Sequence, residues 1–191
     1  MAPTVVMGCS AGGMSALRTV LGGLDKGFPR PVVVVCHTGS EDITTFCELL
    51  ETTSTLPVRE ARERQSVTTG VVHVAPSGYH LLLEGDGRFA LSVDERVSFA
   101  RPAIDVLFES AASACGSDLI GVVMTGANYD GAAGLRTIRR RGGLAIVQTP
   151  ADAHAPSMPQ AALDVAGADY CVPLGEIASV LNRLCLPKAR P

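Results

Sequence analysis

The chain has 191 residues, 47% of them hydrophobic and 18% charged, which supplies one well-filled core and leaves little length for a second domain. A formal net charge of −3 excludes general electrostatic attraction to nucleic acid or an acidic membrane surface. With aromatic content at 4% and no Trp, the core must be aliphatic, which suits a buried parallel sheet between helices. The opening MAPTVVMGCSAGG has neither the basic region nor the long apolar stretch of a signal peptide, and later apolar runs are short and broken. A soluble, reduced, cytoplasmic protein without membrane insertion is the expectation. The six Cys form no CxxC or metal-type pair. Cys9, Cys36 and Cys171 sit in apolar runs and are expected to be small buried hydrophobes.

In chain order, short β-branched runs alternate with helical patterns, the signature of an α/β fold. Residues 4–8 read as a first strand running into the turn CSAGG, and 14–21 as a helix. PVVVVCH at 31–37 has no polar alternation and reads as a fully buried strand. A helix at 41–50 carries Ile43, Phe46, Leu49 and Leu50 on one side. The runs at 70–76, 79–84 and 88–93 read as three short strands joined by PSG and GDG, and GDG between apolar runs predicts a small antiparallel hairpin. Helices at 102–115 and 130–141 follow, with strands at 119–125 and 143–148. Further helices at 156–165 and 176–184 flank a short strand near Tyr170. Arg139, Arg140 and Arg141 fall at a helix end, where a basic run complements the dipole. No repeat or linker interrupts the chain, so residues 1–191 are expected to form one domain.

Chemistry concentrates at three strand-to-helix turns. In Gly8-Cys9-Ser10-Ala11-Gly12-Gly13, small neighbours permit a tight turn that exposes the Ser10 hydroxyl, and the following helix offers its positive end to an oxyanion. Taken alone the turn has three readings: nucleophile, phosphate loop or plain structural turn. The GxGxxG spacing of dinucleotide loops is not matched. His37 ends the second buried strand; if strands one and two pair, it emerges on the same rim as Ser10 and becomes a candidate general base. Asp130, in TGANYDGA, opens a helix after another buried strand; it could cap that helix or orient His37. His73, His80 and His154 are expected to be structural, and Arg101, at a helix start, could reach the cleft or only stabilise its local turn, the second being the expectation.

GCSAGG, VVVVCH, HVAPSGYHLLL, RPAIDVLFESAA, VVMTGANYDGAAGL and QTPADAHAPSMPQAAL, in this order over nearly the whole chain, resemble the catalytic domain of the CheB chemotaxis methylesterases. The resemblance implies a doubly wound, mostly parallel α/β sheet with flanking helices and an antiparallel hairpin near one edge. It implies Ser10 as nucleophile, His37 as base, Asp130 as its partner, and the backbone N–H groups of Ala11 and Ala127 as the oxyanion hole, with no metal or cofactor. The implied activity is demethylation of glutamyl methyl esters, with deamidation of glutamine by the same route. The implied partner is the cytoplasmic domain of a methyl-accepting chemotaxis receptor. The family's N-terminal receiver domain has no counterpart ahead of Thr4; it is absent, acts in trans, or has been removed. Cys36 and Thr38 flank the histidine where Gln and Met are common, and Ala127 and Asn128 stand where Met and Gly are common, which bears on substrate preference. An esterase with another target, or a catalytically silent scaffold, are the alternatives.

Overall fold

The computed structural model describes residues 3–38 and 42–185. Its strands are β1 (Thr4–Cys9), β2 (Val32–Cys36), β3 (Val58–Glu60), β4 (Val72–Val74), β5 (His80–Leu83), β6 (Phe89–Ser92), β7 (Leu119–Val123), β8 (Leu144–Gln148) and β9 (Tyr170–Val172). Its helices are α1 (Gly13–Gly22), α2 (Ile43–Glu51), α3 (Ile104–Cys115), α4 (Ala132–Arg140), α5 (Ser157–Ala166) and α6 (Leu174–Cys185). The predicted start of α2 at Glu41 lies outside the described residues.

β1 and β2 are buried at every position, so neither face is left for polar residues, and apart from Thr4 at the start of β1 the runs carry none. Alternate residues feed two cores. Val5, Met7, Val32 and Val34 face one side with Leu17, Leu50 and Leu181, from α1, α2 and α6. Val6, Val33 and Val35 face the other with Leu107, Phe108, Leu135 and Ala162, from α3, α4 and α5. Each fully buried aliphatic chain contributes roughly 1.5–3 kcal/mol. The sheet is therefore covered on both faces, with seven parallel strands in the order β3-β4-β2-β1-β7-β8-β9.

β5 and β6 form the expected antiparallel hairpin as a separate sheet. It sits near the β3 edge, because Phe89 exchanges backbone bonds with Arg64 and Gln65 in the segment after β3. Three details differ from the sequence reading. The run around His73 is not part of the antiparallel excursion: β4 lies parallel between β2 and β3, its buried Val-His-Val reading as sheet interior. β3 itself was not expected, since Val-Arg-Glu is too short and polar to announce a strand. Cys9 and Cys36 are buried as expected, but Cys171 is exposed because β9 is an edge strand with one open face. In α4, Arg139 and Arg140 occupy the last turn, and Arg139 donates to the Ala166 carbonyl at 2.6 Å.

The chain winds outward from β1 to β2 on one side and returns to β7 on the other, so the order reverses between β1 and β7. Crevices at such reversals, outside the carboxyl ends of the strands, are where open α/β sheets hold ligands.

Candidate active site

Ser10 directly follows β1, His37 directly follows β2, and Asp130 lies between β7 and α4. The pairing of β1 with β2 in register, extended by a 3.0 Å bond from the His37 N–H to the Cys9 carbonyl, puts Ser10 and His37 side by side. Both line a cleft of about 760 Å³ along α1 and a second cavity of about 320 Å³ towards α3.

The Ser10 turn is held from the β7 side. Ser10 N–H donates to the Thr125 carbonyl at 2.9 Å, and Thr125 Oγ1 donates to the Ala11 carbonyl at 2.8 Å. The Thr125 N–H is taken in turn by Gln148 Oε1 at 2.9 Å. Gly12 has φ +79°, and a β-carbon there would meet the His154 side chain at 2.9 Å, so the turn needs glycine on both counts. His154 thus packs against the Ser10 turn but is exposed. Among the described residues, the Ser10 hydroxyl and the N–H groups of Ala11 and Ala127 make no hydrogen bond, which leaves all three available to a ligand.

Asp130 is fully buried, and His37 Nε2 lies 2.9 Å from its Oδ2. Oδ2 also accepts from the Ile104 N–H at 2.7 Å, and Oδ1 from the Asp105 N–H at 3.0 Å. Asp130 therefore does cap a helix, but it is α3 and not the helix it precedes. The N-cap of α4 is Gly131, at φ +94° and without a side-chain cap. The capping is reciprocal, since Asp105 Oδ1 accepts the Gly134 N–H of α4 at 2.7 Å. The exposed N–H groups and dipole of α3 thereby compensate a carboxylate that burial alone would penalise.

The acceptor-only Asp130 carboxylate fixes the proton on His37 Nε2, and the orientation of Asn128 agrees with that tautomer. Asn128 Oδ1 accepts the Asp130 N–H at 3.2 Å, so its amide NH₂ is the end that faces His37 Nδ1, at 3.4 Å. Nδ1 is then an acceptor, the ring proton sits on Nε2, and Nε2–H donates to Asp130. The lone pair left for the cleft is on Nδ1. The contact to Asn128 is long enough to be given up readily. The motif TGANYDGA contained Asn128, but its contact with His37 depends on the approach of two loops that sequence alone does not place. Asp105 was missed for the same reason: an Asp in a first helical turn reads as capping its own helix.

Burial, opposed by the Gly134 N–H and reinforced by the Asp130 charge, pushes Asp105 up to about 6. A carboxyl raised in the folded state binds protons more tightly there, so this group's contribution to stability is full below about pH 4 and is lost as pH rises through 6. After allowance for partial solvent screening the change is about 1–2 kcal/mol. His73, buried in β4, runs the other way. Burial lowers it to about 4, so its contribution is present above about pH 6.5 and lost on acidification. Asp105→Asn keeps an oxygen for Gly134 and removes only the titration. Urea midpoints from pH 4 to 7 should then rise more steeply with pH than in wild type; an unchanged slope would refute the assignment.

His80 is held in structural hydrogen bonds, whereas Arg101 both braces its turn and lines the 320 Å³ cavity with Ser10 and His37. His80 Nδ1 accepts the Ala103 N–H at 3.2 Å, which makes Nε2 the donor to the Glu95 carbonyl at 2.9 Å. Arg101 donates to the Val93 and Asp94 carbonyls at 2.6 and 2.9 Å. No group of His, Cys, Asp or Glu among the described residues could hold a metal ion, and no described helix is long and apolar enough to cross a membrane.

A serine, a histidine and a buried carboxylate on one rim of a parallel α/β sheet define a hydrolase-type site. The family comparison narrows it: the CheB methylesterase model matches residues 5–181, and the chain belongs to that family. A relative from Leptospira interrogans (strain Fiocruz L1-130), whose name provisionally gives protein-glutamate methylesterase/protein-glutamine glutaminase, is 44% identical over 180 residues, spanning 94% of this chain and 93% of the relative. The protein-glutamate methylesterase/protein-glutamine glutaminase of Symbiobacterium thermophilum is 36% identical over 94% of this chain, which spans only 49% of that protein. The crystal structure of the Thermotoga maritima CheB methylesterase catalytic domain superposes with a TM-score of 0.92 at 32% identity, covering 96% of this chain and 99% of that one.

Proposed function

We propose that the chain is a protein-glutamate methylesterase in which Ser10 is the nucleophile, His37 the general base and Asp130 the group that orients and charges the base. The substrate is a glutamyl methyl ester on the cytoplasmic domain of a methyl-accepting chemotaxis receptor, and glutamine deamidation follows the same route. Residues 1–191 act as one catalytic unit.

The observation that carries this reading is the 2.9 Å contact of His37 Nε2 with a fully buried Asp130, beside a Ser10 that lines the same cavities as the imidazole. His37 Nδ1 releases its Asn128 contact and takes the Ser10 proton as Oγ attacks the ester carbonyl. The oxyanion is received by the Ala11 and Ala127 N–H groups at the start of α1 and after β7. Asp130 stabilises the imidazolium without taking its proton. His37 then protonates departing methanol, and a water deprotonated by the same nitrogen hydrolyses the acyl-serine to free glutamate.

The test is methanol release from a methylated chemoreceptor cytoplasmic fragment. Release by the wild-type protein is the expected result. No release, with Ser10 still labelled by a fluorophosphonate, would redirect the activity to a different ester. Neither signal would mean a silent scaffold.

A further inference from the structure

The segment between the hairpin and α3 ends in a feature that neither the core nor the backbone requires. Val97 and Ala100 exchange both backbone hydrogen bonds, at 3.1 and 2.9 Å, which leaves Ser98 and Phe99 as a two-residue tip. Their φ values are +51° and +64°. Consecutive left-handed residues of this kind are normally Asn or Gly, because a β-carbon is crowded there, and a bulky aromatic is a poor occupant. Phe99 is also 89% exposed, whereas Phe28, Phe89 and Phe108 are at most 1% exposed. Local strain and exposed apolar surface both oppose Phe at this position, and such conflicts persist where a site needs them.

The tip is at the site. Phe99 and Arg96 line the 320 Å³ cavity together with Ser10 and His37. The loop is pinned beneath by the bonds of Arg101 to Val93 and Asp94 and of His80 to Glu95, so the tip has a fixed base. Among the described residues Arg96 forms no ion pair, and no acidic side chain lines this cavity. Asp94 and Glu95 precede Arg96 in the loop without lining the cavity.

We propose that the Ser98–Phe99 turn is the substrate-recognition lip of the cleft. Phe99 packs on a large apolar side chain of the polypeptide that carries the ester, and Arg96 meets a carboxylate next to it. A small ester would engage only Ser10 and its immediate neighbours; an aromatic and an unpaired cation across the cavity suit residues flanking the modified glutamate. This inference rests on the methylesterase reading and names the chemistry of its substrate: an acidic polypeptide segment with an apolar residue near the ester.

Steady-state methanol release from the methylated receptor fragment tests it. Phe99→Ala is expected to raise KM about tenfold with kcat within about twofold, the loss typical of one aromatic anchor. Phe99→Tyr should restore KM. Phe99→Gly should raise KM equally while raising the melting temperature by a few degrees, because glycine relieves the left-handed backbone. A Phe held there only for structure would do the opposite, lowering the melting temperature and sparing KM. Wild-type KM in Phe99→Ala overturns the lip alone, and a simultaneous shift to smaller species in sedimentation would assign the tip to self-association instead. No release by the wild-type protein overturns the methylesterase reading and this inference with it.

Discussion

Ser10→Ala is expected to lower methanol release by about 10⁴- to 10⁶-fold while leaving the melting temperature within about a degree of wild type. The size of the effect follows from what the alanine cannot do: no oxygen remains to form the acyl-enzyme, and water must attack unaided. Residual turnover above background would come from the Ala11 and Ala127 N–H groups and from substrate positioning. The fold should not notice the change. The Ser10 hydroxyl bonds nothing among the described residues, and the bonds that shape the turn, Ser10 N–H to Thr125 and Gly13 N–H to the Ser10 carbonyl, are backbone bonds that alanine keeps. Fluorophosphonate labelling should disappear with the activity. Turnover near the wild-type rate would remove Ser10 from the mechanism; a large fall in melting temperature would assign the hydroxyl a structural duty.

The parts of this site that could be read from the sequence are those governed by topology. A polar-free run such as Val32–Cys36 can only be an interior strand, and residues directly after such strands share one rim of the sheet, which is why Ser10, His37 and Asp130 could be grouped. The GDG signal placed the β5–β6 hairpin because turn chemistry is local. What stayed hidden depends on non-local approach. That Asp130 caps α3, and Asp105 the start of α4, reflects the packing of two helix N-termini from distant parts of the chain. The same holds for the choice of imidazole nitrogen, which the Asp130 carboxylate decides and Asn128 supports. β3 and the exposure of Cys171 were illegible because edge strands carry little hydrophobic signal, and Phe99 offered no signal at all until its φ and exposure were known.

The position of Asp130 makes it the residue whose loss should damage activity and stability together. Its two oxygens receive three donors: Ile104 N–H and His37 Nε2–H on Oδ2, and Asp105 N–H on Oδ1. In Asp130→Asn only one oxygen remains. With that oxygen at the Oδ2 position, the new NH₂ group meets the Asp105 N–H, donor against donor, at a buried helix start. With the amide turned over, it meets both Ile104 N–H and His37. The imidazole must then accept at Nε2 and carry its proton on Nδ1, where it can no longer act as base. The first arrangement costs stability and the second costs stability and catalysis together; both forfeit the negative charge that α3 and the imidazolium are arranged to meet. We expect kcat to fall by about 10⁴-fold, the scale for a triad histidine held in the wrong tautomer. Unfolding free energy should drop by about 2–4 kcal/mol, read from the urea midpoint, because a buried hydrogen-bonded charge is being unpaired from a helix terminus. Asp130→Glu would not rescue either loss, since the added methylene displaces the carboxylate from the α3 terminus. An Asp130→Asn protein with the expected loss of stability but only a several-fold loss of kcat would mean that His37 keeps its tautomer through Asn128 alone, and that the carboxylate is a helix cap without a catalytic duty.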